Sequence, residues 1–197
     1  MDPEIAKRIF ENNVTNTTHR TPYPAVDPSR PELSQKGRTV LITGGSAGIG
    51  FAIAKAFIVA SAAAVIITGR RQEQLGIAIS ALTEVAAATT GTRIIGEQTD
   101  IADPECIDKL WADLAGKSIN VDVLVLNAAR FATVGTILNL GCSHVWKSFE
   151  FNVRSLLLHT EKFHNQPKGN GSRVRFASGC PSDFFFSLSS TAGSAEY

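Results

Sequence analysis

The chain has 197 residues, which is enough for one domain with a sizeable core and too few for two ordinary domains. It is 44% hydrophobic and 19% charged, with a formal net charge of +1 at pH 7. Binding to a nucleic-acid backbone needs a basic excess, and disorder needs a polar bias, so this composition argues against both.

The cysteines, Cys106, Cys142 and Cys180, lie far apart without Cys-x-x-Cys spacing. They fit small apolar residues in a reducing compartment better than a metal site or a disulfide framework. The charged N-terminus lacks the apolar run of a secretory signal, so we expect a cytoplasmic protein. The apolar stretch 51–68 is interrupted by Lys55 and changes from alanine-rich to β-branched. A helix followed by a buried strand explains it better than a membrane span.

The first 36 residues are predicted to form an arm outside the main domain. Asp2-Pro3-Glu4 fits a helix start that leads into an amphipathic segment up to about Phe10. The proline-rich run 21–31 then favours an extended path. This arm either packs against the domain or trails from it.

From Arg38 onward, short β-branched runs alternate with longer helical runs, as in a parallel sheet covered by helices on both faces. The predicted strands are Thr39–Thr43, Ala64–Thr68, Thr92–Thr99, Val121–Leu126 and Val174–Ala177. The predicted helices are about Gly48–Ala60, Gln72–Ala88, Pro104–Ala115 and His144–Phe163. Right-handed crossovers then give an α/β fold, a Rossmann-type doubly wound parallel sheet over residues 37–178. Residues 179–197 are expected to be irregular.

A glycine-rich turn follows the first predicted strand, with the sequence Thr43-Gly44-Gly45-Ser46-Ala47-Gly48-Ile49-Gly50, and it leads directly into a helical run. Glycine permits a tight turn, a close approach of backbone N–H groups to phosphate, and close packing of helix on strand. The N-terminus of the helix adds partial positive charge. The turn therefore predicts a site for the pyrophosphate of a dinucleotide, and a strand-to-helix turn without a ligand is the alternative.

The second predicted strand ends in Thr68-Gly69-Arg70-Arg71, without the carboxylate that holds the ribose hydroxyls in NAD-binding domains. Two guanidinium groups suit the 2′-phosphate of NADP, because arginine is always charged and offers a fork of donors. NADP is therefore the predicted cofactor. The alternative is that Arg70 and Arg71 are solvated residues at the start of the next helix.

The spacing Thr-Gly-x-x-x-Gly-x-Gly resembles the fingerprint of the short-chain dehydrogenase/reductase family, and later segments match that family in order. Asp100-Ile101 resembles the family's pair that touches the adenine ring, with a helix cap as the alternative. Asn127-Ala128 is similar to part of the family's Asn-Asn-Ala-Gly element, whose first Asn and last Gly are replaced here. The segment 149–153 resembles the helix with the family's catalytic-site Asn, here Asn152, and a polar residue on a helix flank is the alternative.

The family's reaction uses a Ser that orients the substrate carbonyl and a later Tyr-x-x-x-Lys pair, whose Tyr donates a proton. By position, Ser178 is the candidate for the Ser and Tyr197 the candidate for the Tyr. Their separation is longer than the family's, and no Lys can stand four residues after Tyr197. An ordinary loop hydroxyl and a frayed terminus are the alternatives.

The resemblance implies an NADP-dependent oxidoreductase that reduces a carbonyl or oxidises an alcohol of a small-molecule substrate. Within the family, the sequence most resembles members from filamentous-fungal secondary metabolism. The alternative is a non-catalytic module that binds NADP or a partner. The four histidines have no metal-ligand spacing, so we expect no metal.

The resemblance also implies that the family's last strands and catalytic helix are missing here. A sheet that stops at its fifth strand exposes an apolar edge. We therefore expect poor solubility, or burial of that edge against a partner or in a homo-oligomer.

Overall fold

A computed structural model of the chain describes residues 23–130, 133, 135–167 and 176–178, the last three as backbone. The strands are β1 Thr39–Ile42, β2 Ala64–Gly69, β3 Arg93–Gln98, β4 Val123–Leu126 and β5 Phe176–Ser178. They form a parallel sheet in the order β3-β2-β1-β4-β5. Each strand overlaps a predicted one, and the predicted doubly wound α/β fold is confirmed. Residues 174 and 175 of the predicted fifth strand lie outside the described part of the chain.

The helices are α1 Gly48–Val59, α2 Gln72–Thr89, α3 Pro104–Gly116, α4 Ile137–Leu140, α5 Cys142–Phe149 and α6 Ser155–Asn165. A π-helical turn, Glu150–Arg154, joins α5 to α6. The prediction of one uninterrupted helix from His144 to Phe163 is therefore wrong at this turn, and the sequence does not predict the four-residue α4.

Ser155 stabilises the π turn with both its backbone and its side chain. Its N–H donates to the carbonyl of Glu150, five residues back instead of the four of an α-helix. Its buried hydroxyl donates to the carbonyl of Phe151 at 2.5 Å. The local pattern of apolar residues carries no signal for such a turn, because periodicity reports the buried face and not the hydrogen-bond register.

The strands β1, β2 and β4 are buried on both faces, which explains why they are almost continuously apolar, whereas the edge strand β3 is only partly buried. In β1, Val40 and Ile42 pack with α1 and α2 on one face, whereas Leu41 packs with α3 on the other. Side chains alternate along a strand, so one short strand supplies both cores. The carboxyl ends of β1, β2 and β4 are thereby fixed side by side.

The apolar stretch 51–68 is divided as predicted, since it contains most of α1 and then β2. In the described part of the chain, no helix combines the length and the hydropathy that a membrane span requires.

The described part of the N-terminal arm differs from the predicted extended path. Two turns of 3-10 helix, Pro24–Val26 and Pro31–Leu33, interrupt it. Each turn begins with proline, whose preset φ and missing N–H suit the first position of a helix. The N–H of Gln35 then donates to the carbonyl of Ala60 at 2.7 Å, which joins this end of the arm to the end of α1. The predicted helix from Asp2 to about Phe10 lies outside the described residues.

Candidate cofactor site

The glycine-rich turn, residues 43–50, connects the carboxyl end of β1 to α1. It lies at the point where the order of the strands reverses, between β1 and β4. Open α/β sheets bind ligands at such a point. Gly44 and Gly48 have φ of +67° and +54°, a region that favours glycine over residues with a Cβ.

The glycines of the turn have different physical roles. A Cβ at Gly50 would overlap the carbonyl oxygen of Gly44 and lie 2.5 Å from the Asn127 Nδ2 atom. A Cβ at Gly45 would lie 2.6 Å from the Ile67 Cγ2 atom. At Gly48, by contrast, an added Cβ would meet nothing within 4 Å. Gly45 and Gly50 therefore permit close packing, whereas the surface at Gly48 is open to a ligand.

The N-terminus of α1 has no side-chain cap. Its N-cap is Ala47, which is extended at φ −161° and ψ 168° and has no polar side-chain atom. The N–H of Phe51 donates to the Ala47 carbonyl at 3.3 Å, and the N–H groups before it have no partner within the helix. These N–H groups and the partial positive charge of the helix terminus suit an anion such as phosphate.

Asn127 ties the end of β4 to the glycine-rich turn. The buried hydroxyl oxygen of Thr43 accepts the N–H groups of Asn127 and Ala128, both at 3.1 Å. In return, the Asn127 Nδ2 atom donates to the carbonyl oxygens of Thr43 and Gly44 at 3.0 and 3.2 Å. The side chain of Asn127 therefore holds the shape of the turn.

Arg70 and Arg71 are both exposed after β2. Arg71 is the N-cap residue of α2, while the guanidinium carbon of Arg70 lies 5.8 Å from the centroid of the Phe151 ring. Phe151 belongs to the π turn and is only 7% exposed. The sequence alone does not predict this contact, because no spacing rule links residues so far apart in the chain.

Asp100 and Ile101 follow β3, and Ile101 is buried. Asp100 accepts the N–H of Ala102 at 3.0 Å, which stabilises the turn. The helix cap is Asp103, whose side chain accepts the N–H of Glu105 at 2.9 Å. The helix-cap alternative for Asp100 is therefore wrong. Hydrogen bonds from the Cys106 thiol and the Glu105 N–H hold the pKa of Asp103 below its usual value.

Asn152 lies in the π turn and uses both ends of its amide on one residue. Its Oδ1 atom accepts the N–H of Arg130 at 2.9 Å, and its Nδ2 atom donates to the Arg130 carbonyl at 2.8 Å. This pair holds the loop after β4 against the π turn.

Ser178 is the last residue of β5 and pairs with Leu126 of β4. Its backbone thus lies beside Leu126, the last residue of β4, which directly precedes Asn127 in the chain. Tyr197 lies outside the described residues.

Of the histidines, His159 is a fully buried core residue. Trp111 donates from its Nε1 atom to the Nδ1 atom of His159 at 3.1 Å, and Phe163 packs on the same tryptophan. Burial lowers the pKa of His159 to about 4, so the ring is neutral at pH 7. Among the residues that the structure describes, no group of three or more His, Cys, Asp or Glu side chains could hold a metal ion.

The chain is similar to known proteins of one family. The family model for short chain dehydrogenase matches residues 38–180. The short chain dehydrogenase pigC of Monascus ruber is 32% identical over 165 residues, which cover 82% of this chain and 52% of the relative. The oxidoreductase asL5 of Sarocladium schorii is 39% identical over 112 residues, which cover 56% of this chain and 41% of the relative. The chain spans about half the length of the curated relatives it matches.

Solved structures show the same fold. A short chain dehydrogenase of Burkholderia cenocepacia in complex with NADP has a TM-score of 0.61 and 28% identity, covering 73% of this chain and 55% of its own. The L-sorbose reductase of Gluconobacter frateurii, complexed with NADPH and L-sorbose, has a TM-score of 0.58 and 27% identity, covering 66% and 47%. The resemblance inferred from the glycine-rich turn is confirmed by the match over residues 38–180, and the chain belongs to the short chain dehydrogenase family of oxidoreductases.

Proposed function

We propose that the chain binds NADP and serves a reaction that reduces a carbonyl group or oxidises an alcohol of a small molecule. The uncapped N-terminus of α1, directly behind a glycine-rich turn that is open at Gly48, carries the proposal. Unpaired N–H groups at a helix terminus suit the two negative charges of a pyrophosphate. Solved relatives in complex with NADP and NADPH support the choice of a nicotinamide dinucleotide.

The donor set of the described residues fits this cofactor. The turn and the first N–H groups of α1 would hold the pyrophosphate, and Arg70 and Arg71 would hold the 2′-phosphate. Asp100 and Ile101 would border the adenine. They follow β3 at the carboxyl edge of the sheet, where Arg70 follows the neighbouring strand β2. When bound, the cofactor supplies or accepts a hydride.

The charge at the end of β2 supports the phosphorylated form of the cofactor. Arg70 and Arg71 are exposed there, where a carboxylate would instead bind the hydroxyls of an unphosphorylated ribose. The carbonyl of Arg70 accepts a hydrogen bond from the Gln98 Nε2 atom at 2.9 Å, which fixes the backbone that carries the first guanidinium.

For the chemical step, we propose Asn152, Ser178 and Tyr197 as the catalytic-site residues. Asn152 would hold the loop at Arg130 and with it one wall of the site. The hydroxyl of Ser178 would orient the substrate carbonyl, and the phenol of Tyr197 would donate the proton to its oxygen. The Ser178 backbone, beside Leu126, is compatible with this assignment.

We propose a small carbonyl compound or alcohol of fungal secondary metabolism as the substrate, because the curated relatives reported above come from fungi. We propose that the protein resides in the cytoplasm, because its widely separated cysteines fit a reducing compartment.

Titration of the 197-residue chain with NADPH and NADH, followed by cofactor fluorescence, tests the cofactor proposal. Arg70→Ala removes charge-assisted hydrogen bonds, so we expect its Kd for NADPH to rise about 10- to 100-fold with little change for NADH. Arg93→Ala is the matched control, because Arg93 is an exposed arginine at the opposite, amino end of β3. Equal binding of NADPH by both variants, or no binding by the wild type, would overturn the proposal.

A further inference from the structure

The guanidinium of Arg70 has an aromatic neighbour on the far side of the glycine-rich turn. Arg70 follows β2, Phe151 follows β4 in the chain, and β1 lies between β2 and β4 in the sheet. The Arg70 guanidinium carbon is 5.8 Å from the centroid of the Phe151 ring, within the range of about 6 Å over which a cation is attracted to an aromatic face. The contact therefore joins two elements that lie on either side of the turn.

The Phe151 ring is held firmly, whereas Arg70 is exposed. Phe151 is 7% exposed, and its carbonyl accepts the Ser155 hydroxyl in the π turn. The next residue, Asn152, is fixed by its two hydrogen bonds to the backbone of Arg130. The ring is thus a fixed surface on which the exposed side chain of Arg70 can rest.

A guanidinium that lies on an aromatic face keeps the N–H donors at its edge free for another ligand. A long side chain that already rests in its bound position loses less conformational freedom when the ligand arrives, and this loss otherwise weakens binding. We propose that Phe151 is a positioning residue that holds Arg70 in place for the 2′-phosphate and so raises the preference for NADP over NAD. This inference rests on the proposed cofactor function.

Binding titrations of Phe151→Leu and Phe151→Tyr with NADPH and NADH test the inference. Leucine removes the aromatic face, so we expect the Kd for NADPH to rise about two- to fivefold while that for NADH stays constant. Tyrosine keeps the face and should retain the wild-type ratio of the two constants. If Phe151→Leu weakens both cofactors equally, Phe151 has only a structural role and the inference is overturned.

The double variant Arg70→Ala/Phe151→Leu separates this inference from the cofactor proposal. With Arg70 absent, we expect loss of the ring to leave the ratio of the NADPH and NADH constants unchanged, because the effect of the ring acts through Arg70. A further rise in the ratio of the NADPH constant to the NADH constant would contradict a positioning role. If the wild type binds neither cofactor, the proposed function itself fails.

The contact can also be tested without any cofactor. An aromatic ring shifts the NMR resonance of a proton that lies over its face, so we expect the Arg70 Nε–H resonance to move between the wild type and Phe151→Leu. In Phe151→Tyr the Arg70 Nε–H resonance should stay at its wild-type chemical shift. An identical Arg70 resonance in the wild type and the leucine variant would refute the contact.

Discussion

The atoms that surround a glycine determine whether a side chain could replace its hydrogen. A Cβ at Gly50 has no room between the Gly44 carbonyl and the Asn127 amide, whereas a Cβ at Gly76, within α2, would meet nothing within 4 Å. The first glycine is needed for the approach of α1 to β1 and β4. The second only lowers the helix propensity of α2.

Gly50→Ala is therefore expected to lower the free energy of unfolding by about 1–3 kcal/mol and to abolish NADPH binding. The atoms in its way belong to the backbone and to an amide that is already hydrogen-bonded, so neither can move cheaply. Gly76→Ala, the control, should raise the same free energy by about 0.4–1 kcal/mol. Urea denaturation with NADPH titration measures both, and similar effects at the two sites would contradict the packing argument.

His159 makes the stability of the chain depend on pH. Burial lowers its pKa from 6.5 to about 4 in the folded state, so the unfolded state binds the proton more tightly. Stability should therefore fall as the pH falls from about 6.5 towards 4, with a loss of about 2 kcal/mol between pH 7.5 and 5.

Urea denaturation of His159→Gln at pH 7.5 and 5 measures this contribution, since glutamine does not titrate. We expect the variant to lose most of the pH dependence in this interval. His144→Gln, at a histidine that is only half-buried, should keep it. An unchanged pH dependence in His159→Gln would show that other groups cause it.

The candidate site could be predicted where its residues follow one another along the chain. The glycine-rich turn and the Arg70-Arg71 pair are local patterns with a direct chemical meaning. The contact of Arg70 with Phe151 and the bonds of Asn127 to Thr43 depend on how separate elements meet, and no local pattern carries that information.

Among the elements, α1 and α3 begin in opposite ways. Asp103 caps α3, and its carboxylate accepts the N–H of Glu105, whereas α1 begins at Ala47 without a cap. A side-chain cap stabilises a helix by about 1 kcal/mol. The absence of a cap on α1 leaves its N–H groups available to a ligand.

Ala47→Asp should raise the free energy of unfolding by about 0.5–1 kcal/mol and weaken NADPH binding at least tenfold. The new carboxylate would accept the N–H groups that the pyrophosphate needs and would also repel it. Asp103→Ala should lose about 1 kcal/mol of stability with its NADPH affinity intact. Ala47→Asp with unchanged affinity would argue against a phosphate at the N-terminus of α1.

The elements that the sequence predicts best are those with a strong apolar pattern. The strands β1, β2 and β4 are buried and β-branched or leucine-rich, and their predicted bounds differ from the observed ones by two residues or fewer. The π turn and α4 escape prediction because hydrogen-bond register and short capped turns leave no periodic signal. The 3-10 turns of the arm are not predicted either, because the prolines of this segment favour extended backbone in the residues before them.

At the scale of the whole molecule, apolar surface remains outside the two cores. Trp146, Phe149, Val153 and Leu157, on α5, the π turn and α6, are between 47% and 66% exposed. The rings of Trp146 and Phe149 stack on each other with centroids 6.1 Å apart. Surface of this kind promotes association in water.

We therefore expect the purified chain to associate or to precipitate as its concentration rises. Size-exclusion chromatography with light scattering, together with a thermal melt, measures this. Replacement of Trp146 and Phe149 by lysine should raise the concentration at which association begins. A monomeric wild-type chain that melts cooperatively at all concentrations would contradict the expectation.

The chain's two tryptophans report on different parts of the molecule. Trp111 is shielded between α3 and α6 and shares its indole N–H with His159, whereas Trp146 faces the solvent. A soluble quencher would reach the second indole and not the first. Intrinsic fluorescence can thus follow the interior and the surface separately in one sample, without any attached dye.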